Sequence, residues 1–123
     1  MLNLGNNQIA DLSPFADMSS LTALDLSDNA IIDVSPLAKL ANLRDLNLDN
    51  NHIPTISPLG RLEDLETLSI AGNPLSDSKG FLELTSLQLL YVSREQVEDD
   101  ILTKLRERGV NILFREKPIA DAN

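Results

Sequence analysis

The chain has no cysteine, one histidine, one tyrosine and three phenylalanines among its 123 residues. Without cysteine there is no disulfide, no thiolate nucleophile and no thiolate metal ligand, which is compatible with any compartment. Positive charge is also scarce: ten Lys and Arg stand against nineteen Asp and Glu, a net charge of −9. Residues 1–92 hold four of the basic groups and twelve of the acidic ones. A phosphate backbone meets repulsion across such a region, so nucleic acid is excluded as a partner. No apolar run is long enough to span a membrane and no basic, apolar leader opens the chain, so no membrane association is assigned. No asparagine begins an N-x-S/T acceptor site.

Enzymatic signatures are missing as well. The sequence has no phosphate-cradling glycine loop, no nucleophile elbow and no pair of histidines. His52, the one histidine, follows Asn51 on a turn with no second ligand beside it, and a surface or packing role fits it best. No catalytic residue, cofactor-binding residue or metal site is therefore assigned, no cofactor is expected, and the chain is read as not an enzyme.

What is present is a period of 22 residues. LNLGNNQI from Leu2, LDLSDNAI from Leu24, LNLDNNHI from Leu46 and LSIAGNPL from Leu68 repeat in phase. Self-similarity at a fixed period of this length marks a solenoid. The L-x-L segment alternates as a strand with one buried face does. Asn7, Asn29, Asn51 and Asn73 fall just past each strand, where an amide side chain satisfies backbone groups that have lost their sheet partners. Stacked, they form a ladder. Ser13-Pro14, Ser35-Pro36 and Ser57-Pro58 then read as a capping serine followed by proline at the first position of a short helical or 3₁₀ turn. An apolar content of 42% suffices for one domain despite 3% aromatics, because such a core is a column of leucines.

These residues, from about Leu2 to Val92, resemble the 22-residue class of leucine-rich repeats found in bacterial internalins and in eukaryotic phosphatase-regulatory repeat proteins. The resemblance implies an α/β fold: a right-handed solenoid with a parallel concave sheet, short 3₁₀ or helical convex segments, and macromolecular binding on the concave face. It implies another protein as partner without saying which. Localisation stays unassigned.

The pattern departs towards the C-terminus. Ser78, Lys79 and Gly80 replace the Ser-Pro unit, and Glu95 takes the asparagine place, so the ladder is expected to stop there. Ser93 and Gln96 have capping-box spacing, and Val97, Ile101, Leu102 and Leu105 mark one helical stripe ending at Gly109, which predicts a helix of about 14 residues. Val110, Ile112 and Phe114 alternate as a last strand. The expected organisation is repeats over 1–92, a C-terminal capping helix and strand over 93–117, and a flexible tail over 118–123. Met1 enters a repeat part-way, so the first coil lacks a cover, the chain reads as cut, and two copies are expected to associate through residues 1–20.

Residues between and beside the buried strand positions point outward on the concave face. Two zones result. Asp25, Asp28, Asp45 and Asp49 make an acidic middle, while Leu89, Tyr91 and Leu113 with Arg94 and Arg115 make an apolar and basic end. The candidate partner-binding residues are Asp25, Asp45, Asn47, Asp49, Ser69, Leu89, Tyr91, Arg94 and Leu113. The apolar end has the composition of an interaction hot spot, and equally that of a surface shielded by residues 116–123. The acidic zone reads as a solvated face or as a dock for a basic partner. Its carboxylates come close enough across neighbouring strands to suggest calcium, but no calcium-loop motif accompanies them. Two functional readings follow: a protein-interaction module using the concave face, or a structural or engineered solenoid fragment of a longer repeat protein with no partner of its own.

Overall fold

Apolar residues at alternate places make each repeat open with a short strand whose leucines face inward. In the computed structural model, which describes residues 1–115, these strands are β1 (Leu2–Asn3), β2 (Ala23–Asp25), β3 (Asp45–Asn47), β4 (Thr67–Ser69), β5 (Leu89–Val92) and β6 (Asn111–Phe114). They form one sheet in the order β1-β2-β3-β4-β5-β6, every pair parallel. Register follows the period: Leu2 pairs with Leu24, Leu24 with Leu46, Leu46 with Leu68, Leu68 with Leu90 and Leu90 with Ile112. Equivalent leucines therefore stack from coil to coil into one continuous core. The stack is tightest in the middle, where Leu26, Leu48 and Ile70 are wholly buried, and looser at the first coil, where Leu2, Leu4, Ile9 and Leu21 are half-buried.

Backbone pairing runs on past each strand to a residue with left-handed conformation. Asn6, Asp28, Asn50 and Gly72 occupy the same place in four successive repeats, with φ of 59°, 57°, 58° and 74°. Asn and Asp tolerate that region better than other side chains, and Gly enters it freely. At Gly72 a side chain is excluded on a second count, since a Cβ there would lie 2.2 Å from Asn50 Oδ1.

The asparagine ladder comes next. Asn51 Nδ2 donates to Leu48 O at 3.0 Å in its own repeat and to Leu26 O at 3.0 Å in the one before, while its Oδ1 accepts the Ile31 N–H at 3.0 Å. Asn29 and Asn73 make the same set one repeat either side. Asn7, in the exposed first coil, donates only within its own repeat. The ladder does not end at Asn73. Gln96, one position beyond the expected place and one methylene longer, donates from Nε2 to Ile70 O at 2.9 Å and to Asn73 O at 2.8 Å.

On the convex side the serine-proline units begin 3₁₀ turns at Ser13–Phe15, Ser35–Lys39 and Ser57–Arg61, and Lys79–Glu83 forms the fourth without proline. The serine is the first residue of the turn rather than its cap. The side chain that holds the turn's first N–H sits two residues earlier. Asp11 Oδ1 accepts the Ser13 N–H at 2.9 Å, Asp33 Oδ1 the Ser35 N–H at 2.9 Å, Thr55 Oγ1 the Ser57 N–H at 3.2 Å and Asp77 Oδ1 the Lys79 N–H at 2.8 Å. This is the side-chain mimic of a backbone turn that Asp and Thr favour. Donation by Ser13, from its N–H first and its hydroxyl second, holds the Asp11 carboxyl below its ordinary value. Ser35 does the same for Asp33.

The expected 14-residue helix is broken in two. Ser93 and Gln96 do form a capping box, but it closes a 3₁₀ turn at Arg94–Gln96, and Val97 is extended, with φ −126°. Helix α1 then runs Asp99–Glu107. Its first turn carries Asp99 and Asp100, which suits the positive end of the helix dipole. Ile101 and Leu105 are its buried stripe. It ends in a Schellman arrangement: the Val110 N–H reaches Leu105 O at 3.0 Å, the Gly109 N–H reaches Arg106 O at 3.0 Å, and Gly109 has φ 88°. The chain then enters β6, whose Ile112 and Phe114 pack half-buried on the core. The tail expected at 118–123 lies outside the described residues.

Candidate concave binding face

Because strand side chains alternate, one residue in each repeat stands on the sheet between two buried ones. Asn3, Asp25 and Asn47 fill that place in the first three repeats. Each folds back on its own chain: Asp25 Oδ1 accepts the Ser27 N–H at 3.0 Å and its hydroxyl at 2.8 Å, Asn47 Oδ1 accepts the Asp49 N–H at 3.0 Å, and Asn3 Oδ1 the Gly5 N–H at 3.0 Å. In the fourth repeat the place belongs to Ser69, whose hydroxyl is too short for that acceptor role. Asp49 from the preceding repeat substitutes, its Oδ1 accepting the Ala71 N–H at 2.8 Å and the Ser69 hydroxyl at 2.7 Å.

Asp49 is thereby drawn in. It is 6% exposed and Ser69 is 4% exposed, so the outward reading of these two is amended: they shape the face from beneath. The remaining oxygen of Asp49, Oδ2, accepts from Arg115 Nη1 at 2.9 Å. Arg115 lies 66 residues on, which is three periods, so both side chains belong to one column. Ala71 and Ser93 stand between them and are small enough for the arginine to run over. Strands about 4.8 Å apart put the column ends roughly 14 Å from one another, close to the reach of an extended arginine meeting a carboxylate. On the way the guanidinium lies over the Tyr91 ring, 3.9 Å from its centroid. Arg94 stacks similarly on Phe114 at 4.2 Å. Such stacking attracts a cation to the ring face.

Of the other expected site residues, Asp25, Asn47, Leu89 and Tyr91 are half-buried, while Asp45, Arg94 and Leu113 are exposed, Leu113 at 42%. Asp25, Asp45, Asn47, Thr67, Tyr91 and Arg115 line a shallow depression of about 300 Å³ in the face. Its polar walls are unlike, with aspartates towards β2 and β3 and the tyrosine–arginine stack towards β5 and β6. Asp28 is taken up by Asn50, whose Nδ2 donates to it at 3.1 Å. Among the described residues, no three His, Asp or Glu side chains gather in a way that suits a metal ion.

The repeats carry a family signature that settles their class: the sequence family described as Leucine Rich repeats (2 copies) matches residues 1–39 and again 19–61. The chain is a leucine-rich repeat protein. Its sheet and 3₁₀ turns match a leucine-rich repeat protein of Leptospira interrogans with a TM-score of 0.76 and 28% identity, over 91% of this chain and 30% of that one. An internalin C2 of Listeria monocytogenes matches with a TM-score of 0.64 and 29% identity, covering 95% of this chain and 63% of the internalin. A second Listeria internalin, inlF, matches at 0.59 and 25%, covering 95% and 42%. The leucine-rich repeat chain thus spans less than two thirds of each of these proteins, and its type is internalin-like. No curated protein sequence matches it.

Thr67 and Arg115 both escaped the candidate set, and the signal for Arg115 was in the repeat. Arg115 and Asp49 are opposite charges in one column, with only Ala71 and Ser93 between them. The burial of Asp49 had no such signal, because it depends on what the serine at 69 is unable to do.

Proposed function

We propose that this leucine-rich repeat protein is a non-enzymatic interaction module that receives another protein on the concave face of its sheet. The observation that carries the reading is the depression between the Asp25–Asp45 wall and the Tyr91–Arg115 stack, with Leu89 and the exposed Leu113 beside it. Tyrosine and arginine together are the composition that binding surfaces favour at their centre, and the leucines add apolar area beside them. A broad, open sheet also suits a macromolecular contact better than the enclosed pocket of a small-molecule site. The acidic balance stands against nucleic acid, and among the described residues no helix is long and apolar enough to cross a membrane.

The test compares three immobilised proteins, each confirmed folded by circular dichroism: the unaltered chain, a Leu89→Ser/Leu113→Ser variant of the concave face, and an Ile32→Ser variant. Ile32 is 61% exposed away from the strands, so it controls for loss of surface apolar area alone. A protein held by the first and third and lost by the second supports the concave face. Equal retention by all three refutes it and favours the other reading, a solenoid segment with no partner of its own. Association of two copies through residues 1–20 is a separate proposal, read from the half-buried Leu2, Leu4 and Ile9. Light scattering showing a monomer at high concentration would sink it.

A further inference from the structure

The Asp49–Arg115 pair is lopsided: the carboxylate side chain is 9% exposed and the arginine 46%. Asp49 Oδ1 is fixed by the Ser69 hydroxyl and the Ala71 N–H, which leaves Oδ2 aimed along the column towards a single cation. The Tyr91 ring supplies a flat floor beside it. A nearly buried carboxylate held by two donors and set next to an aromatic face is a cradle for a planar cation, and its occupant here is Arg115, the residue that follows β6 in the same chain.

We propose that this cradle is a guanidinium subsite, that the concave face takes an arginine side chain of a partner protein there, and that Arg115 is its internal competitor. The floor stands on β5 and the oxygen just past β3, held there by donors at β4 and beyond it, whereas Arg115 follows the last strand with about half of its side chain in solvent. A partner's arginine makes the same hydrogen bond to Oδ2 and stacks on the same ring, so exchange replaces like with like. The partner's other basic groups then meet Asp25 and Asp45, which line the adjoining wall. Lysine is a poorer occupant, because an ammonium does not lie flat on Tyr91 as a guanidinium plane does. A site occupied by its own arginine most of the time has its affinity for an external one reduced by the vacant fraction, roughly five- to tenfold if Arg115 is seated 80–90% of the time. This deepens the concave-face reading and rests on it for its biological use, but the cradle itself is testable without any partner.

The experiment titrates the full chain with acetyl-arginine-amide and, separately, acetyl-lysine-amide, following the Ala71 amide and Tyr91 ring signals by NMR. Three proteins are compared: the unaltered chain, Arg115→Ala, and Arg115→Ala/Asp49→Asn. Asparagine keeps an oxygen for Ser69 and Ala71 while removing the charge at the second position. The expected result is that Arg115→Ala binds the arginine probe about fivefold or more tightly than the unaltered chain, prefers it to lysine, and loses it when Asp49→Asn is added. Equal affinity in the first two proteins, equal affinity for the two probes, or indifference to Asp49→Asn each overturns the proposal. Arg115→Gln is the second vacating variant should Arg115→Ala not fold. If neither folds, Arg115 is a brace of the last strand and the proposal falls, with the partner-capture result unaffected.

Discussion

Replacing Asn51 by alanine tests the logic of the repeat most directly. The side chain is 4% exposed and ties its own coil to the one before. Its loss removes donation to Leu26 O, Leu48 O and Asp49 O and acceptance from the Ile31 N–H. These losses are unequal. Leu26 O still receives Asn29 Nδ2, Leu48 O still receives Asn73 Nδ2, and Asp49 O still receives the Asp28 N–H. The Ile31 N–H is left buried with nothing. Stranding one buried donor costs about 1–3 kcal/mol, and weakening the shared acceptors adds roughly 1 kcal/mol, so Asn51→Ala is expected to destabilise the fold by about 2–4 kcal/mol. Asn7→Ala is the internal control, since Asn7 is exposed and accepts no backbone N–H, and it should cost less than about 1 kcal/mol. Asn51→Asp separates shape from chemistry: it keeps the acceptor for Ile31 but loses every donated bond and buries a charge beside three carbonyl oxygens. It should be at least as damaging as alanine at neutral pH. Equilibrium urea unfolding measures all three, with the slope checked for constancy so that a midpoint shift means stability. If Asn51→Ala costs no more than Asn7→Ala, the ladder is ornamental and the argument fails.

Burial grades along the solenoid in the same way. Leu48→Ala, at a wholly buried site, should cost about 2–5 kcal/mol, and Leu2→Ala, at a half-buried one, well under half of that; equal losses in urea would mean the first coil is as well packed as the third. Acid should act on the convex turns. Asp11 and Asp33 have carboxyls held below their ordinary value by Ser13 and Ser35, so their contribution is complete above the unfolded carboxylate pKa and is lost as pH falls through the lower folded one. The stability gap between the unaltered chain and an Asp11→Ala/Asp33→Ala variant should therefore close on acidification, and a gap that stays constant from neutral to acid pH would refute the turn assignment.

Much of this architecture was legible because the chain states it several times over. A leucine at every place that stacks, and an asparagine where each strand leaves the sheet, leave little choice of fold, and the parallel register came out at the predicted offset. What escaped was of two kinds. Some signals were there unread: Asn6, Asp28, Asn50 and Gly72 recur at the place that demands a left-handed backbone, and Asp11, Asp33, Thr55 and Asp77 recur two residues before each turn, where they accept its first N–H. Others broke phase. Gln96 continues the ladder from a place one residue late, its extra methylene making up the offset, and a strictly periodic reading looks past it. The helix was overextended because the stripe runs unbroken through Val97, although the chain must straighten there to turn back towards the core. The candidate site was legible as a set of columns but not as a surface, for the depth of Asp49 is set by partners one and three repeats away.

The shared carbonyls of the ladder have a consequence for how such a chain changes length. Leu26 O and Leu48 O each take one amide from their own repeat and one from the next, and the offsets are constant, three residues within a coil and 25 between coils. An insertion of one residue between Leu48 and Asn51 would break the three-residue offset within the coil and strip bonds from both coils. Removal of a whole 22-residue unit would leave every offset intact, because each asparagine would meet the same neighbours in a different coil. The ladder thus makes the repeat a quantum: the segment from each strand to its asparagine is gained or lost in whole units, and fractional changes fall on the convex side or at the ends.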